Sequence, residues 1–256
     1  MERTERRERD EPMTEDGLRK RLQAYAEEAG AAFFGVADLA PARAAILEQG
    51  GPVMAGFPLA VSVGMALPHA VVDQLPNRAE RAVAVGYRQH AYDIVNLRLD
   101  QLVSQLAAVV QRAGYRCLPI PSSQTVDSVR LRGSFSNKLA AHLAGLGWIG
   151  KSCLLVTPEA GPRVRWATLL TTAPLPPTGA AREPGCGECQ ACVDVCPAAA
   201  FTGRPFRAEE PRESRFDVHK CKAYLNETEQ AHGLPVCGMC LYACPVGREA
   251  SRRLRA

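Results

Sequence analysis

Apolar residues recur over 95–109 at alternating steps of four and three: Val95, Leu99, Leu102, Leu106 and Val109. That spacing lays a single apolar stripe along a helix. It predicts a long helix over 91–113, ended by Gly114. A second helix is predicted over 18–29, with Thr14 as N-cap and Gly30 as stop. The pattern differs at Leu59-Ala-Val-Ser-Val-Gly-Met-Ala-Leu67, a short uncharged run between Pro58 and Pro68. Such a run predicts a buried strand. Further strands are predicted over 32–37, 115–120, 153–157 and 165–172. A short helix over 136–144 closes on the Gly145-Leu-Gly147 turn. The uncharged stretch 52–72 is not a membrane span. Pro52, Pro58 and Pro68 interrupt it, and Gly56 and Gly64 weaken any helix there.

A proline-rich linker over 174–184 separates this mixed part from a cysteine-rich one. The expected division is a charged, disordered leader over 1–16, an α/β domain over 17–178, and a cysteine domain over 179–256 with a basic tail at Arg252, Arg253 and Arg255. At 256 residues and 46% hydrophobic the chain holds a sizeable core, and its net charge of +4 is small. Arg6-Arg7 is no export signal, because Glu8-Arg9-Asp10-Glu11 stands where an apolar region is required. A cytoplasmic protein, with no membrane partner, is expected.

The cysteines carry the chemistry. The first set reads Cys186-x-x-Cys189-x-x-Cys192-x-x-x-Cys196-Pro197, and the second reads Cys221, then Cys237-x-x-Cys240-x-x-x-Cys244-Pro245. A cubane iron–sulfur cluster needs four converging thiolates. In the bacterial run the cysteine before proline ligates the neighbouring cluster. Two 4Fe–4S clusters are therefore expected. Cys186, Cys189 and Cys192 would hold one with Cys244, and Cys221, Cys237 and Cys240 the other with Cys196. Because Cys221 lies far upstream, the bridge over 222–236 is expected to loop out. Two all-thiolate zinc sites would need separate Cys-x-x-Cys pairs, and the dense triple before Cys-Pro fits a cubane better. Disulfides are disfavoured where thiols stay reduced. Cys117 and Cys153, in strand-like segments, are read as core thiols.

Gly145-Leu-Gly-Trp-Ile-Gly150-Lys151-Ser152 satisfies the letters of a phosphate-binding P-loop. That loop needs a strand before it and a helix after it. Here the order is reversed, so the turn is read as shaping a flat cofactor site or packing the domain.

The block 143–152, followed by Leu154-Leu-Val-Thr-Pro158 and the paired cysteine sets, resembles the epoxyqueuosine reductase family and its shorter relatives. Asp217-x-x-x-Cys221-x-x-Tyr224-Leu225 ahead of Cys237-Gly-Met-Cys240 resembles it as well. The resemblance implies an α+β chain: a nitroreductase-like α/β sandwich domain that binds cobalamin, then a small bis-4Fe–4S ferredoxin-like domain that feeds it electrons. Reductive dehalogenases share that plan. It also implies a low-potential electron donor such as ferredoxin or flavodoxin and a small-molecule or nucleoside substrate. The turn glycines Gly147 and Gly150, with Trp148 and Lys151, become candidate cofactor contacts, as do Ser136, Asn137 and Lys138 at the start of the short helix.

The family's acidic proton donor has no counterpart over 129–137, and Asp127 is the nearest acid. The helical-repeat extension that helps longer relatives hold tRNA does not follow Cys244, so tRNA is not carried over as a partner. Asp217-Val-His219 has Lys222 where the corrinoid signature Asp-x-His-x-x-Gly has glycine, so no histidine ligand of that type is expected. Three functions stay open: a cobalamin-dependent reductase, an electron-transfer or reactivating partner of another corrinoid protein, and a cobalamin-handling protein.

Overall fold

The computed structural model describes residues 14–254. The leader expected over 1–16 lies outside the described residues for 1–13, and its last two residues are helical instead. Helix α1, Glu15–Glu28, begins where the Thr14 hydroxyl accepts from the Gly17 amide at 3.1 Å. This cap satisfies one of the first-turn amides that a helix leaves free.

Four antiparallel strands form the main sheet: β1 Phe33–Asp38, β2 Leu59–Ala66, β3 Cys117–Ile120 and β6 Val164–Thr171, in the order β1-β2-β6-β3. The two central strands read as continuous apolar runs because both sheet faces are covered. On one face Val61, Val63, Met65, Ala167 and Leu169 meet α1 and α5, Val95–Arg112. On the other, Ala60 and Leu170 meet Phe57, Ile46 and helix α6, Asn137–Leu143. The stripe read from the sequence is the inner face of α5, with Leu99, Leu102 and Leu106 buried. Each such side chain contributes about 1.5–3 kcal/mol.

Three expectations need correction. The long helix does not start at 91. A π-helical segment, Gln89–Ile94, joins α4, Arg81–Arg88, to α5 without a break. The strand over 153–157 shrinks to β5, Leu155–Val156, paired with β4, Trp148–Ile149. Cys153 instead takes a left-handed turn conformation, φ 54°, and its amide donates to the Gly150 carbonyl at 2.9 Å. Helices α2, Arg43–Ala55, and α3, His69–Asp73, lie where no element is expected, α2 broken at Gly51 before Pro52.

The cysteine region carries α7, Ala191–Asp194; α8, Val218–His232; α9, Met239–Ala243; and α10, Pro245–Arg252. The bridge over 222–236 does not loop out, since most of it is α8. The signals for this helix were present as Asp217, whose carboxylate accepts from the His219 and Lys220 amides at 3.0 Å each, and Gly233, left-handed at φ 77°.

This region shares its core with the sheet. Val236 and Met239 pack in the same cluster as Leu75, Val72 and Tyr87. The fully buried Arg163 pairs with Asp73 at 2.8 Å and donates to His69 Nδ1 at 3.0 Å, while Ser251 of α10 donates to the other Asp73 oxygen. A buried guanidinium needs such partners. Among the described residues no helix is long and apolar enough to cross a membrane.

Candidate cluster and cofactor site

The first three cysteines lie on a tight loop that enters α7. Gly187 is left-handed, φ 48°, and the Cys189 amide donates to the Cys186 carbonyl at 3.0 Å. Cys196 closes the turn after α7, and the Ala200 amide donates to its sulfur at 3.4 Å. Cys221 sits in α8 just past the Asp217 cap, and Cys240 sits in α9. Cys244 caps α10, whose first residue is Pro245. That proline suits a helix start, where no amide partner is needed. Helices α7 and α9 pack together and bring the two sets side by side.

The thiols fall into two groups of four. Burial pushes the Cys192 thiol up to about 11, and its neighbours Cys186, Cys244 and Cys189 add to that. Burial likewise pushes Cys221 up to about 11, with Cys237 and Cys196 beside it. Cys240 is raised by burial and then by Cys237 and Cys221, with Cys192 and Cys196 weaker. Cys244 is raised by burial, with Cys186 and Cys189 as its thiol neighbours. Cys244 of the second set thus acts on thiols of the first, and Cys196 of the first acts on thiols of the second. All eight are free of disulfides.

Unloaded, such thiols resist ionising, and a bound metal supplies the charge that deprotonates them. The donor set, eight soft thiols free of disulfides, fits the cluster expectation.

The turn at 145–151 is a docking surface for the cysteine region. Trp148 lies flat against Gly185, where a Cβ would come within 2.9 Å of the indole. At Gly150 a Cβ would stand 3.0 Å from Val156 and 3.4 Å from the Cys186 sulfur. Gly147 presses on the Val156 carbonyl. Lys151, which the sequence suggested as a cofactor contact and which as a bare residue after a turn reads as a surface lysine, is buried. Its ammonium donates to the carbonyls of Gly187 at 2.8 Å and Cys189 at 3.1 Å. Trp148, Gly150 and Lys151 join the two halves of the molecule, while Gly147 packs within the sheet domain; β4 lies inside the turn and the strand β5 follows it, where a P-loop would need a helix.

The start of α6 has a different character. Ser136 caps the helix through its backbone only. Asn137 Nδ2 donates to the Pro121 carbonyl at 3.0 Å, while its Oδ1 is buried without a hydrogen-bond partner. An orphaned buried acceptor of this kind is where a polar ligand group fits. Lys138 is half-buried overall, yet its ammonium sits deep enough to donate to the Cys153 carbonyl at 2.5 Å. Burial lowers its pKa; Cys153 opposes this, and Arg212 and Arg215 reinforce it.

Arg212, Arg215 and Phe206 were not found by reading the sequence. Arg215 is buried, lies 4.7 Å over the Phe206 ring and donates to the Arg207 carbonyl at 2.9 Å. Phe206 in turn meets His142 edge-on, and Arg212 donates to the Arg130 and Leu131 carbonyls. This strap, 206–215, has no periodicity to betray it. Only its aromatic and arginine content was visible.

Asp127 is held in a turn. Its carboxylate accepts from the Arg130 amide at 2.8 Å and the Val129 amide at 3.0 Å, with Arg132 at 3.5 Å. The Arg130 amide is the main cause that keeps its pKa below the ordinary aspartate range. A cavity of about 550 Å³ lies elsewhere, between the end of α2 and the β3 edge, lined by Phe57, Tyr115 and Arg116.

Residues 185–247 match the family model described as a 4Fe–4S double cluster binding domain, which spans all eight cysteines. The chain is 30% identical over 202 residues to an epoxyqueuosine reductase of Pseudomonas aeruginosa, covering 70% of this chain and 50% of that protein. It is 31% identical over 188 residues to one from a Synechococcus strain, covering 72% and 53%. It therefore spans about half the length of the curated relatives it matches. Among solved structures, a reductive dehalogenase described with a mechanism for B12-dependent dehalogenation aligns with a TM-score of 0.68 at 19% identity, covering 95% of this chain and 34% of the other. An epoxyqueuosine reductase solved with a modified tRNA stem loop aligns with a TM-score of 0.59 at 21% identity, covering 92% and 66%. These structural likenesses establish a shared fold. With the fold, the cysteine groups and the sequence matches agreeing, the chain is epoxyqueuosine reductase-like, an α+β protein whose carboxy-terminal part is a 4Fe–4S double cluster binding domain.

Proposed function

We propose that the protein is an iron–sulfur reductase that takes single electrons from a low-potential donor of the ferredoxin or flavodoxin class and delivers them to cobalamin in the sheet domain. The observation that carries this reading is the regrouping of the eight thiols. In the proposed ligand sets Cys186, Cys189, Cys192 and Cys244 hold one cluster, and Cys196, Cys221, Cys237 and Cys240 hold the other. The two clusters supply one-electron transfer, at potentials set by charge, hydrogen bonds and exposure. The contact of α7 with α9 keeps the two thiol groups adjacent, and the carboxy-terminal helix is pinned to Asp73 on the sheet side.

Cobalamin, when bound, supplies the strongly reducing cobalt chemistry that side chains lack. Ser136, Asn137 and Lys138 are the proposed contacts, where an orphaned amide oxygen and a deep ammonium offer one acceptor and one donor to the amides of the corrin rim. Trp148, Gly150 and Lys151 shape the site from behind by fixing the cluster loop against the sheet domain, and Gly147 lets the turn sit on the Val156 carbonyl. The proposed substrate is a small, nucleoside-like molecule. The tRNA stem loop held by a solved relative is the first larger ligand to test.

A second reading has its own observation. Asp127 is tied down by two amides and Arg132, and its lowered pKa keeps it ionised. A general acid must carry a proton near working pH. Without another donor the chain serves as an electron-delivery partner of a second corrinoid protein. Anaerobic protein loaded with iron and sulfide, then titrated with cobalamin, separates the two. Stoichiometric binding with a shifted corrin spectrum is expected for the first reading. Reduction of the clusters with no cobalamin bound, and turnover only after a partner protein is added, would replace it with the second.

A further inference from the structure

Lys151 is 6% exposed and hydrogen-bonds to nothing but two main-chain carbonyls, those of Gly187 and Cys189. Among the described residues no carboxylate lies within ion-pair distance of it. A buried ammonium with only carbonyl partners is a costly arrangement unless a negative charge lies near. Its two partners belong to the loop that carries Cys186 and Cys189, and the residue before it stands against the Cys186 sulfur. The negative charge within reach is therefore that of the first thiol group.

We infer that Lys151 is the built-in counter-charge of the cluster held by Cys186, Cys189, Cys192 and Cys244, and that it raises the reduction potential of that cluster. The inference rests on the cluster-bearing reading above. When an electron arrives from the low-potential donor, the ligated group gains one negative charge and no bond is made or broken. The positive charge of Lys151 favours the more anionic, reduced state. Lys151 is thus a positioning residue: it orders the loop through two hydrogen bonds and biases the electron through its charge. The second thiol group has no such fully buried lysine. Lys220 and Lys222, which flank Cys221, are exposed, and Lys138 is half-buried and is spent on the Cys153 carbonyl.

The test is an anaerobic redox titration followed by low-temperature spin-resonance, on wild-type protein and on Lys151→Gln and Lys151→Arg, each with iron content measured. Gln keeps a donor for the loop and removes the charge, whereas Arg keeps the charge. Fully loaded Lys151→Gln should show one of the two potentials displaced to more negative values and the other unmoved, with Lys151→Arg near wild type. Two unmoved potentials in loaded Lys151→Gln would overturn the inference while leaving the cluster reading intact. If Lys151→Gln does not load, Lys151→Arg decides. A potential matching wild type supports the charge role, and a shift despite the retained charge contradicts it. Wild-type protein without clusters would sink the underlying reading instead.

Discussion

The sheet and the cysteine region are stabilised by different physics, although they share a border. In the sheet, β2 and β6 are buried along nearly their whole lengths, and α5 lays a full apolar face on them. Over 185–215 the only buried residues are Ala200 and Arg215. Apolar burial holds little of that stretch, which leaves hydrogen bonds such as those of Lys151 and whatever its thiols bind to order it, as in small metal-dependent domains. The contrast teaches where each half is vulnerable: the first to cavities, the second to loss of a ligand.

Cys240→Ser should break the comparison most sharply. We expect iron content to fall by about half and the cysteine region to become protease-sensitive, while far-ultraviolet circular dichroism from the sheet domain persists. Retention of full iron would remove Cys240 from the ligand set. Next in size is Leu99→Ala, which should cost about 2–5 kcal/mol in denaturant unfolding of the sheet domain. An effect below 1 kcal/mol, by contrast with that range, would mean the α5 face is not the main core.

Asp73→Ala strikes the border. It leaves the buried Arg163 without its carboxylate and Ser251 without its acceptor. About 1–3 kcal/mol should be lost, with faster hydrogen exchange in α10. The same contact carries a pH dependence. Burial pushes the Asp73 carboxyl up, but the Ser251 hydroxyl and the Arg163 guanidinium together hold it below the ordinary aspartate value of 3.8. A depressed folded-state pKa stabilises above the unfolded value and is lost as pH falls through the folded one. Acidification below about pH 4 should thus destabilise wild type more than Asp73→Ala. Parallel pH profiles would refute the linkage.

The smallest effect is expected at Asp127→Asn, in an exposed turn. Cluster potentials and cobalamin binding should stay as in wild type, and so should turnover if the protein is a reductase. A large loss of turnover alone would restore Asp127 as a proton donor.

The two regions were also unequally legible. The stripe from Val95 to Val109 and the uncharged run at β2 gave the sheet core, because burial writes itself as periodicity. Cysteine spacing marked the double cluster domain for the same kind of reason, since a cube admits few spacings. Helix α8 buries only Thr228, so it writes no apolar stripe, and its caps Asp217 and Gly233 are its only local marks. The depth of Lys151 and the strap of Phe206, Arg212 and Arg215 depend on contacts between distant segments, which no local pattern encodes.

The most direct test of the account is the iron and acid-labile sulfide content of anaerobically purified wild-type protein, read beside the spin-resonance spectrum after reduction. About eight of each per chain, with two cubane signals that interact, is the predicted result. Colourless protein holding zinc, or no metal, would contradict it.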